Sequence, residues 1–244
     1  MMTEPVVQIY PDLDSLSAAA AAVFVQTVQT ALSRGRDAWI ALSGGSTPRR
    51  LYETLAGFPR RERVPWDCVQ IVQVDERPVP PDSPDSNYRL LRETLLERVP
   101  VPPAHVHRIP AELGAAEAAD SYEEELKAAM PLGPDGFPQF DLILLGLGDD
   151  GHTASLFPRS PGLREKERWV IANPVEKLGV ERITLTYPVL NHAVRVAFLV
   201  SGSGKNAALG AVLRGLRTVE DLPARGVNPV TGSVIWMVDS AAVG

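Results

Sequence analysis

The feature that most constrains the fold of this chain is an alternation, along its whole length, of short apolar runs with longer amphipathic patterns. The short runs are rich in β-branched residues, as in Val6–Tyr10, and the longer patterns have the 3.6-residue period of a helix. Leu142–Leu145 is apolar at every position, which is typical of a strand that is buried on both faces. This alternation predicts an α/β fold in which a mainly parallel sheet carries helices on both of its faces.

Periodicity and the residues that favour helix ends place the individual elements. Strands are predicted at residues 6–10, 39–42, 69–74, 106–109, 142–145, 169–172, 183–186, 194–200 and 234–238, and helices at residues 14–33, 48–56, 87–98, 115–130 and 205–213. Thr47 is the predicted N-cap of the second helix, with Pro48 at its first position. Because no linker, repeat or low-complexity stretch interrupts the pattern, we predict a single domain of residues 1–244.

Charge and composition argue against several classes of function. The net charge is −6 and basic residues do not interleave with aromatic ones, which disfavours binding to nucleic acid or to an anionic membrane surface. The single cysteine, Cys68, cannot form an internal disulfide and offers no metal-ligand spacing. The N-terminus lacks the basic segment of a signal peptide, and the apolar run at residues 18–25 is about a third of a membrane span. We therefore expect a cytoplasmic protein, either a monomer or a small homo-oligomer.

Three unusual loops directly follow predicted strands. In open parallel sheets ligands bind beyond the carboxyl ends of the strands, so we expect these loops to meet along one edge. The first loop, Ser-Gly-Gly-Ser-Thr-Pro at residues 43–48, allows close approach of the backbone to a ligand, and the helix start that follows favours an anion. It lacks the patterns of a nucleotide P-loop and of a dinucleotide site. Taken alone, it is equally compatible with a tight turn that binds nothing.

The other two loops carry ionisable side chains. In the second loop, Asp-Glu-Arg at residues 75–77, the arginine is suited to hold a phosphate, and the two acids to orient it or to bind sugar hydroxyls; a solvated strand end is the alternative. The third loop, GLGDDGHTASLF at residues 146–157, places Asp150 and His152 on a glycine-rich turn. Histidine suits proton transfer near neutral pH, and a nearby carboxylate can fix its tautomer. A metal site is less favoured, because no second histidine or cysteine is near.

Two further strand ends add positive charge. Arg182 opens the sequence Arg-Ile-Thr-Leu-Thr, and Lys205 closes the run Ser-Gly-Ser-Gly-Lys before a predicted helix. Each alone is most often a surface charge. Together with Arg77 they would give one site in an acidic protein the positive potential that a phosphate dianion requires. His105 and His107, which alternate around the start of the short strand predicted at residues 106–109, are expected to be surface or cap residues.

Taken together, these motifs resemble those of 6-phosphogluconolactonases. SGGSTP, DERxVP with SNY downstream, GLGDDGHTASLFP, RITLT and SGSGKNAAL follow one another in this order, and the longest is highly specific. The resemblance implies a three-layer α/β/α sandwich with a Rossmann-like sheet, as in sugar-phosphate isomerases. It also implies hydrolysis of 6-phosphogluconolactone to 6-phosphogluconate, with a small phosphorylated lactone as the partner and with neither a cofactor nor a metal.

The resemblance also assigns residues. It implies that His152 is the general base and that Asp150 belongs to the catalytic site, in a role that the motif does not settle. The residues implied to bind the phosphate or the rest of the substrate are Ser43, Gly44, Gly45, Ser46, Asp75, Arg77, Arg182 and Lys205.

Two alternatives compete with this function: a different enzyme class on the same fold, and a sugar-phosphate sensor that is not an enzyme. Amino-sugar phosphate deaminase-isomerases carry Ile-Ala-Phe-Asn-Glu-Pro after the histidine, where this chain has Thr-Ala-Ser-Leu-Phe-Pro, and Asp-Glu-Tyr where it has Asp-Glu-Arg. The glutamate of the deaminase run is missing here, and deamination needs a carboxylate to support ring opening and to move protons. A sugar-phosphate sensor fused to a DNA-binding domain would need a helix-turn-helix segment, and little sequence precedes Val6 to hold one.

Overall fold

Seven parallel strands form the central sheet of the computed structural model, which describes residues 6–133 and 135–244. In spatial order they are Val6–Tyr10 (β1), Ser233–Asp239 (β10), Arg195–Val200 (β9), Leu142–Leu145 (β6), Ala38–Leu42 (β2), Val69–Gln73 (β3) and Val106–His107 (β5). All neighbouring pairs run parallel, so the carboxyl ends of the seven strands lie along one edge.

A second sheet contains three antiparallel strands. Asp75–Glu76 (β4), Val180–Leu185 (β8) and Val170–Val175 (β7) pair in this order. Val74 alone separates the end of β3 from the start of β4, so one stretch of backbone joins the two sheets. The sequence predicted β7 and β8 as strands but not as a separate sheet, because a two-residue strand such as β4 is too short to show a period.

Within the described residues the helices are Leu13–Ser33 (α1), Ser46–Ala56 (α2), Arg60–Arg63 (α3), Asn87–Thr94 (α4), Ala115–Ala129 (α5), Tyr187–Leu190 (α6), Asn206–Leu213 (α7) and Ser240–Val243 (α8). All five predicted helices are present. The helix predicted at residues 87–98 ends earlier, at Thr94, and a 3-10 turn at Leu96–Arg98 follows it. The single-turn helices α3, α6 and α8 were not predicted, since one turn is too short for a helical period to be visible.

Apolar side chains cover both faces of the central sheet. Along β6, Ile143 and Leu145 belong to the buried cluster that includes α5, whereas Leu142 and Leu144 belong to the cluster that includes α1. Successive residues of a strand point to opposite faces, so the two clusters are layers on either side of the sheet. The predicted three-layer α/β/α sandwich with a mainly parallel sheet is confirmed.

Helix α1 owes its apolar character to this core. Within the described residues it is the helix whose length and hydropathy alone would permit a membrane span. Eight of its 21 residues are buried, between Leu16 and Ala31. Among them, Phe24 packs against Trp66 with the ring centroids 5.8 Å apart. The packing of this face against the sheet explains the hydropathy of the helix.

The start of α2 differs from the prediction. Gly45, with φ of 111°, is the N-cap in place of Thr47, and Pro48 is the third helical residue rather than the first. A glycine in this conformation lets the helix begin two residues earlier, and Pro48 still lies in the first turn, where N–H groups lack intrahelical partners. No side chain of the described residues caps this helix. Its first N–H groups are therefore available to a ligand.

His107 is buried, which the sequence did not predict. Its Nδ1 lies 2.8 Å from Oε1 of Glu125 and its Nε2 lies 3.1 Å from Oε1 of Gln70. Its ring stacks on Trp39 at a centroid distance of 5.1 Å. The helix that follows β5 covers this side chain, and the sequence does not show which face of so short a strand it covers.

Candidate active site

A cavity of about 460 Å³ opens at the carboxyl ends of β2, β6 and β9, beside β4. The three predicted loops and the run that ends at Lys205 meet there, as a parallel sheet requires. All of the predicted site residues except Arg182 line this cavity: Ser43, Gly44, Gly45, Ser46, Asp75, Arg77, Asp150, His152 and Lys205.

A tight turn holds His152 against Asp150. Nδ1 of His152 lies 2.6 Å from Oδ1 of Asp150, and the same oxygen accepts the backbone N–H of His152 at 3.2 Å. The turn closes on itself, because the N–H of Gly148 donates to the carbonyl of His152 at 2.8 Å and the N–H of Gly151 donates to that of Gly148 at 3.0 Å. Gly151 has φ of 83°, a conformation that favours glycine.

The imidazole of His152 is confined on two sides. Phe157 stacks on it with ring centroids 4.2 Å apart and planes inclined by 25°. A Cβ on Gly148 would lie 2.1 Å from Nδ1, so a side chain at that position would displace the ring. The glycine therefore provides the space in which the ring meets Asp150.

Asp150 is a strong hydrogen-bond acceptor for this ring. The hydrogen bond with His152 lowers the pKa of Asp150 to about 2, although partial burial opposes the shift. The carboxylate is therefore ionised near neutral pH and accepts the proton on Nδ1. When the imidazole is neutral, this arrangement leaves the lone pair on Nε2 to accept a proton.

The first loop forms a concave backbone surface at the start of α2. A Cβ on Gly44 would lie 1.8 Å from Oδ1 of Asn87, so only glycine fits there. The hydroxyl of Ser43 donates to the carbonyl of Leu144 at 2.8 Å, and its own carbonyl accepts the hydroxyl of Tyr52 at 2.5 Å. These contacts anchor the loop, whose N–H groups and helix start are suited to an anion.

Pairing of β4 with β8 brings two arginines together. Glu76 lies opposite Ile183, so Arg77 and Arg182 come next in the antiparallel register. Burial lowers the pKa of Arg182, and the charge of Arg77 lowers it further. Arg77 donates from Nη1 to the carbonyl of Asp85. Arg182 thus lies next to Arg77 without lining the cavity, and the two positive charges together favour an anion at Arg77.

The positive charges that line the cavity come from Arg77, Lys205 and Lys177. Nζ of Lys205 lies 2.5 Å from Oδ1 of Asp149. Lys177, from the turn between β7 and β8, was not predicted, because nothing in the sequence shows that this turn reaches the cavity. Among residues 6–133 and 135–244 there is no group of three or more His, Cys, Asp or Glu side chains that could hold a metal ion.

Asp75 is a buried carboxylate at the cavity wall. Its Oδ2 accepts the hydroxyl of Ser155 at 2.6 Å, and its backbone carbonyl accepts the side-chain amide of Asn87 at 3.0 Å. Burial raises the pKa of Asp75, and the hydrogen bond from Ser155 opposes this. The sequence missed the parts played by Asn87 and Ser155, although both lie inside the quoted motifs.

Glu76 is directed away from the cavity, contrary to the roles that the sequence suggested for this acid. It is 1% exposed. Its two oxygens accept five hydrogen bonds of 2.8–3.1 Å, from the backbone N–H groups of Arg77, Asn87 and Tyr88, the hydroxyl of Ser86 and the side-chain amide of Gln73. One carboxylate thus joins both ends of the proline-rich loop at residues 77–86 and stabilises the N-terminus of α4.

We expect Glu76→Ala to reduce the free energy of unfolding by about 3–5 kcal/mol, because several buried donors lose a charged acceptor. Urea denaturation measures the difference. Glu124→Ala is the matched control: Glu124 is exposed in α5, and its replacement is expected to change stability by about 0.5 kcal/mol or less. Equal unfolding midpoints for Glu76→Ala and the wild type would show that the hydrogen bonds to Glu76 do not stabilise the fold.

The fold and the cavity place the chain among α/β proteins whose site lies at the carboxyl edge of a parallel sheet. Residues 11–236 match the family described as glucosamine-6-phosphate isomerases/6-phosphogluconolactonase. A 6-phosphogluconolactonase of Nostoc sp. is 38% identical over 239 residues, 97% of this chain and 96% of the relative, and one of Synechocystis sp. is 44% identical over 204 residues, 83% and 82% of the two chains. The crystal structure of 6-phosphogluconolactonase from Leishmania guyanensis superposes with a TM-score of 0.86 at 29% identity and covers 98% of both chains. The chain belongs to this family, which confirms the resemblance inferred from the motifs.

Proposed function

We propose that this chain hydrolyses 6-phospho-D-glucono-1,5-lactone to 6-phospho-D-gluconate, a reaction of the oxidative pentose phosphate pathway, in the cytoplasm. The observation that carries the proposal is the His152–Asp150 pair, 2.6 Å apart, in a cavity that also contains an uncapped helix start and three cationic side chains. The pair supplies a base for water, and the cationic wall suits a phosphate dianion. The similarity to 6-phosphogluconolactonases over nearly the whole chain supports the same activity.

In the proposed reaction, Nε2 of His152 takes a proton from a water molecule while the water oxygen attacks the lactone carbonyl carbon. The carbonyl oxygen becomes negatively charged in the tetrahedral intermediate. When this intermediate collapses, the bond to the ring oxygen breaks and the imidazolium returns its proton to that oxygen. The new carboxylic acid then loses a proton to solvent. Asp150 stabilises the imidazolium, and general-base help of this kind contributes about 10²–10⁴-fold to the rate.

The phosphate is the proposed anchor. It binds the N–H groups at the start of α2, while Arg77 and Lys205 exchange their present partners, the carbonyl of Asp85 and the carboxylate of Asp149, for phosphate oxygens. Arg182 adds positive charge next to Arg77. A fixed phosphate holds the lactone carbon near His152, so the binding energy of the phosphate serves to position the reacting carbon. The buried Asp75 is proposed to accept a sugar hydroxyl.

The residues that follow His152 disfavour the deaminase alternative. Alignment of Thr-Ala-Ser-Leu-Phe-Pro with the deaminase run puts Phe157 where those enzymes carry glutamate. Here that side chain is an apolar ring stacked on His152 at 4.2 Å. No carboxylate at this position supports ring opening of an amino sugar.

The test is to generate the lactone by oxidation of glucose 6-phosphate and to follow its decay with and without the wild-type protein. We expect decay far faster than spontaneous hydrolysis and no release of ammonia from glucosamine 6-phosphate. If protein does not accelerate the decay, the lactonase proposal is wrong. Ammonia release would instead establish the deaminase.

A further inference from the structure

The hairpin between β7 and β8 delivers a lysine to the cavity. A 3-10 turn at Glu176–Leu178 and the left-handed Gly179, with φ of 62° and ψ of 31°, connect the two strands. Lys177 and Leu178 at this turn line the cavity, although both strands belong to the second sheet. The side chain of Lys177 is 78% exposed, so it has room to change its position.

Lys177 lies beside the proposed base. Its Nζ is 4.0 Å from Oδ2 of Asp150, the carboxylate oxygen that His152 does not use. The other two lysine or arginine side chains on the cavity wall are engaged elsewhere: Lys205 contacts Asp149, and Arg77 donates to the carbonyl of Asp85. Within the described residues, Nζ of Lys177 donates no hydrogen bond, and its contact with Asp150 is long. Its donors are thus available near the reacting end of the cavity.

The proposed hydrolysis needs positive charge at this end. Negative charge develops on the lactone carbonyl oxygen and persists in the product as a carboxylate, whereas Arg77, Arg182 and Lys205 serve the phosphate. His152 and Asp150 handle the proton and offer no donor to that oxygen. The flexible ammonium of Lys177, 4.0 Å from the carboxylate that holds the imidazole, meets this need.

We propose that Lys177 is a catalytic residue that donates a hydrogen bond to the lactone carbonyl oxygen, stabilises the tetrahedral intermediate and binds the product carboxylate. This inference rests on the proposed lactonase function. Atoms balance without a further reactant, because Lys177 stays protonated while the proton of water passes through His152 to the ring oxygen. With Lys177 at the carbonyl oxygen and the other cations at the phosphate, the site selects lactones whose carbonyl and phosphate lie a fixed distance apart.

The test compares Lys177→Met with Lys177→Arg and with the control Lys166→Met, which removes an exposed lysine outside the cavity. We expect Lys177→Met to lower kcat about 10²-fold, the usual effect of losing one donor to an oxyanion, and Lys177→Arg to retain much of the rate. Inhibition by 6-phosphogluconate should weaken in Lys177→Met, while inhibition by inorganic phosphate should not change. Lys166→Met should match the wild type.

Several outcomes would overturn the assignment. An unchanged kcat in Lys177→Met, with an active wild type, rejects Lys177 alone, whereas an inactive wild type rejects the lactonase function. Equal weakening of phosphate and 6-phosphogluconate inhibition makes Lys177 a phosphate ligand. If the acid limb of the kcat/KM profile shifts while its plateau stays at the wild-type value, Lys177 acts through Asp150 rather than on the substrate.

Discussion

His152→Ala is expected to lower kcat for lactone hydrolysis by about 10²–10⁴-fold, because it removes the group that accepts the proton of water. The residual rate should approach spontaneous hydrolysis, which is measured in parallel. Inhibition by inorganic phosphate should not change, since the first loop, Arg77 and Lys205 belong to other strand ends. A sugar-phosphate sensor would instead show no catalysed hydrolysis in the wild type, so the replacement would change neither turnover nor phosphate binding.

Asp150→Asn provides the graded comparison. The amide cannot stabilise an imidazolium, so we expect a loss of kcat that does not exceed that of His152→Ala.

In the wild type the pKa of Asp150 is about 2, below the ordinary value for aspartate. The Asp150 carboxylate is therefore ionised and accepts the hydrogen bond from His152 above about pH 4, and this interaction is lost as the pH falls through about 2 and the carboxylate is protonated. A decline of kcat/KM between neutral pH and about pH 4 would report protonation of a group other than Asp150. Full activity in either variant would remove the pair from the mechanism.

Gly148→Ala is expected to abolish most activity although residue 148 contributes no functional group. The new Cβ would lie 2.1 Å from Nδ1 of His152, so the ring must shift, which disturbs its 2.6 Å hydrogen bond to Asp150. Because a misplacement of about 1 Å costs about 10²-fold in rate, we expect a loss of kcat of at least this size. Steady-state kinetics together with thermal denaturation separate a displaced base from an unfolded chain.

Gly204→Ala is the matched control for Gly148→Ala. Its Cβ would meet no atom within 4 Å, and Gly204 does not line the cavity. This variant should retain near wild-type kinetics, so the general effect of adding a methyl group is accounted for. Wild-type kcat in Gly148→Ala would show that the site tolerates a displaced imidazole and would contradict the geometry.

The sequence predicted the parts of the fold and of the site that depend on local pattern. Continuous apolar runs such as Leu142–Leu145 indicate buried parallel strands, and parallel strands place their following loops at one edge. These two rules were sufficient to predict that Asp150 and His152 lie near the first loop and Lys205. Glycine spacing in the third loop likewise indicated a constrained turn.

The remainder depends on tertiary contacts that leave no local signal. The neighbouring positions of Arg77 and Arg182 follow from the pairing of β4, a two-residue strand without a period. The inward direction of Glu76 depends on donors more than ten residues further along the chain. Lys177 reaches the cavity because the second sheet directs its hairpin there, and the sequence of the turn does not encode that direction.

The hydrogen bonds by which Glu76 joins both ends of the loop at residues 77–86 have a thermodynamic consequence for ligand binding. Because one carboxylate fixes both ends of the loop that carries Arg77, the conformational entropy of this loop is lost when the chain folds. A phosphate that arrives later meets a preorganised wall and does not have to order it. Calorimetry should accordingly find a small entropic penalty for phosphate in the wild type and a larger one in folded Glu76→Ala, in which no direct ligand contact has been removed.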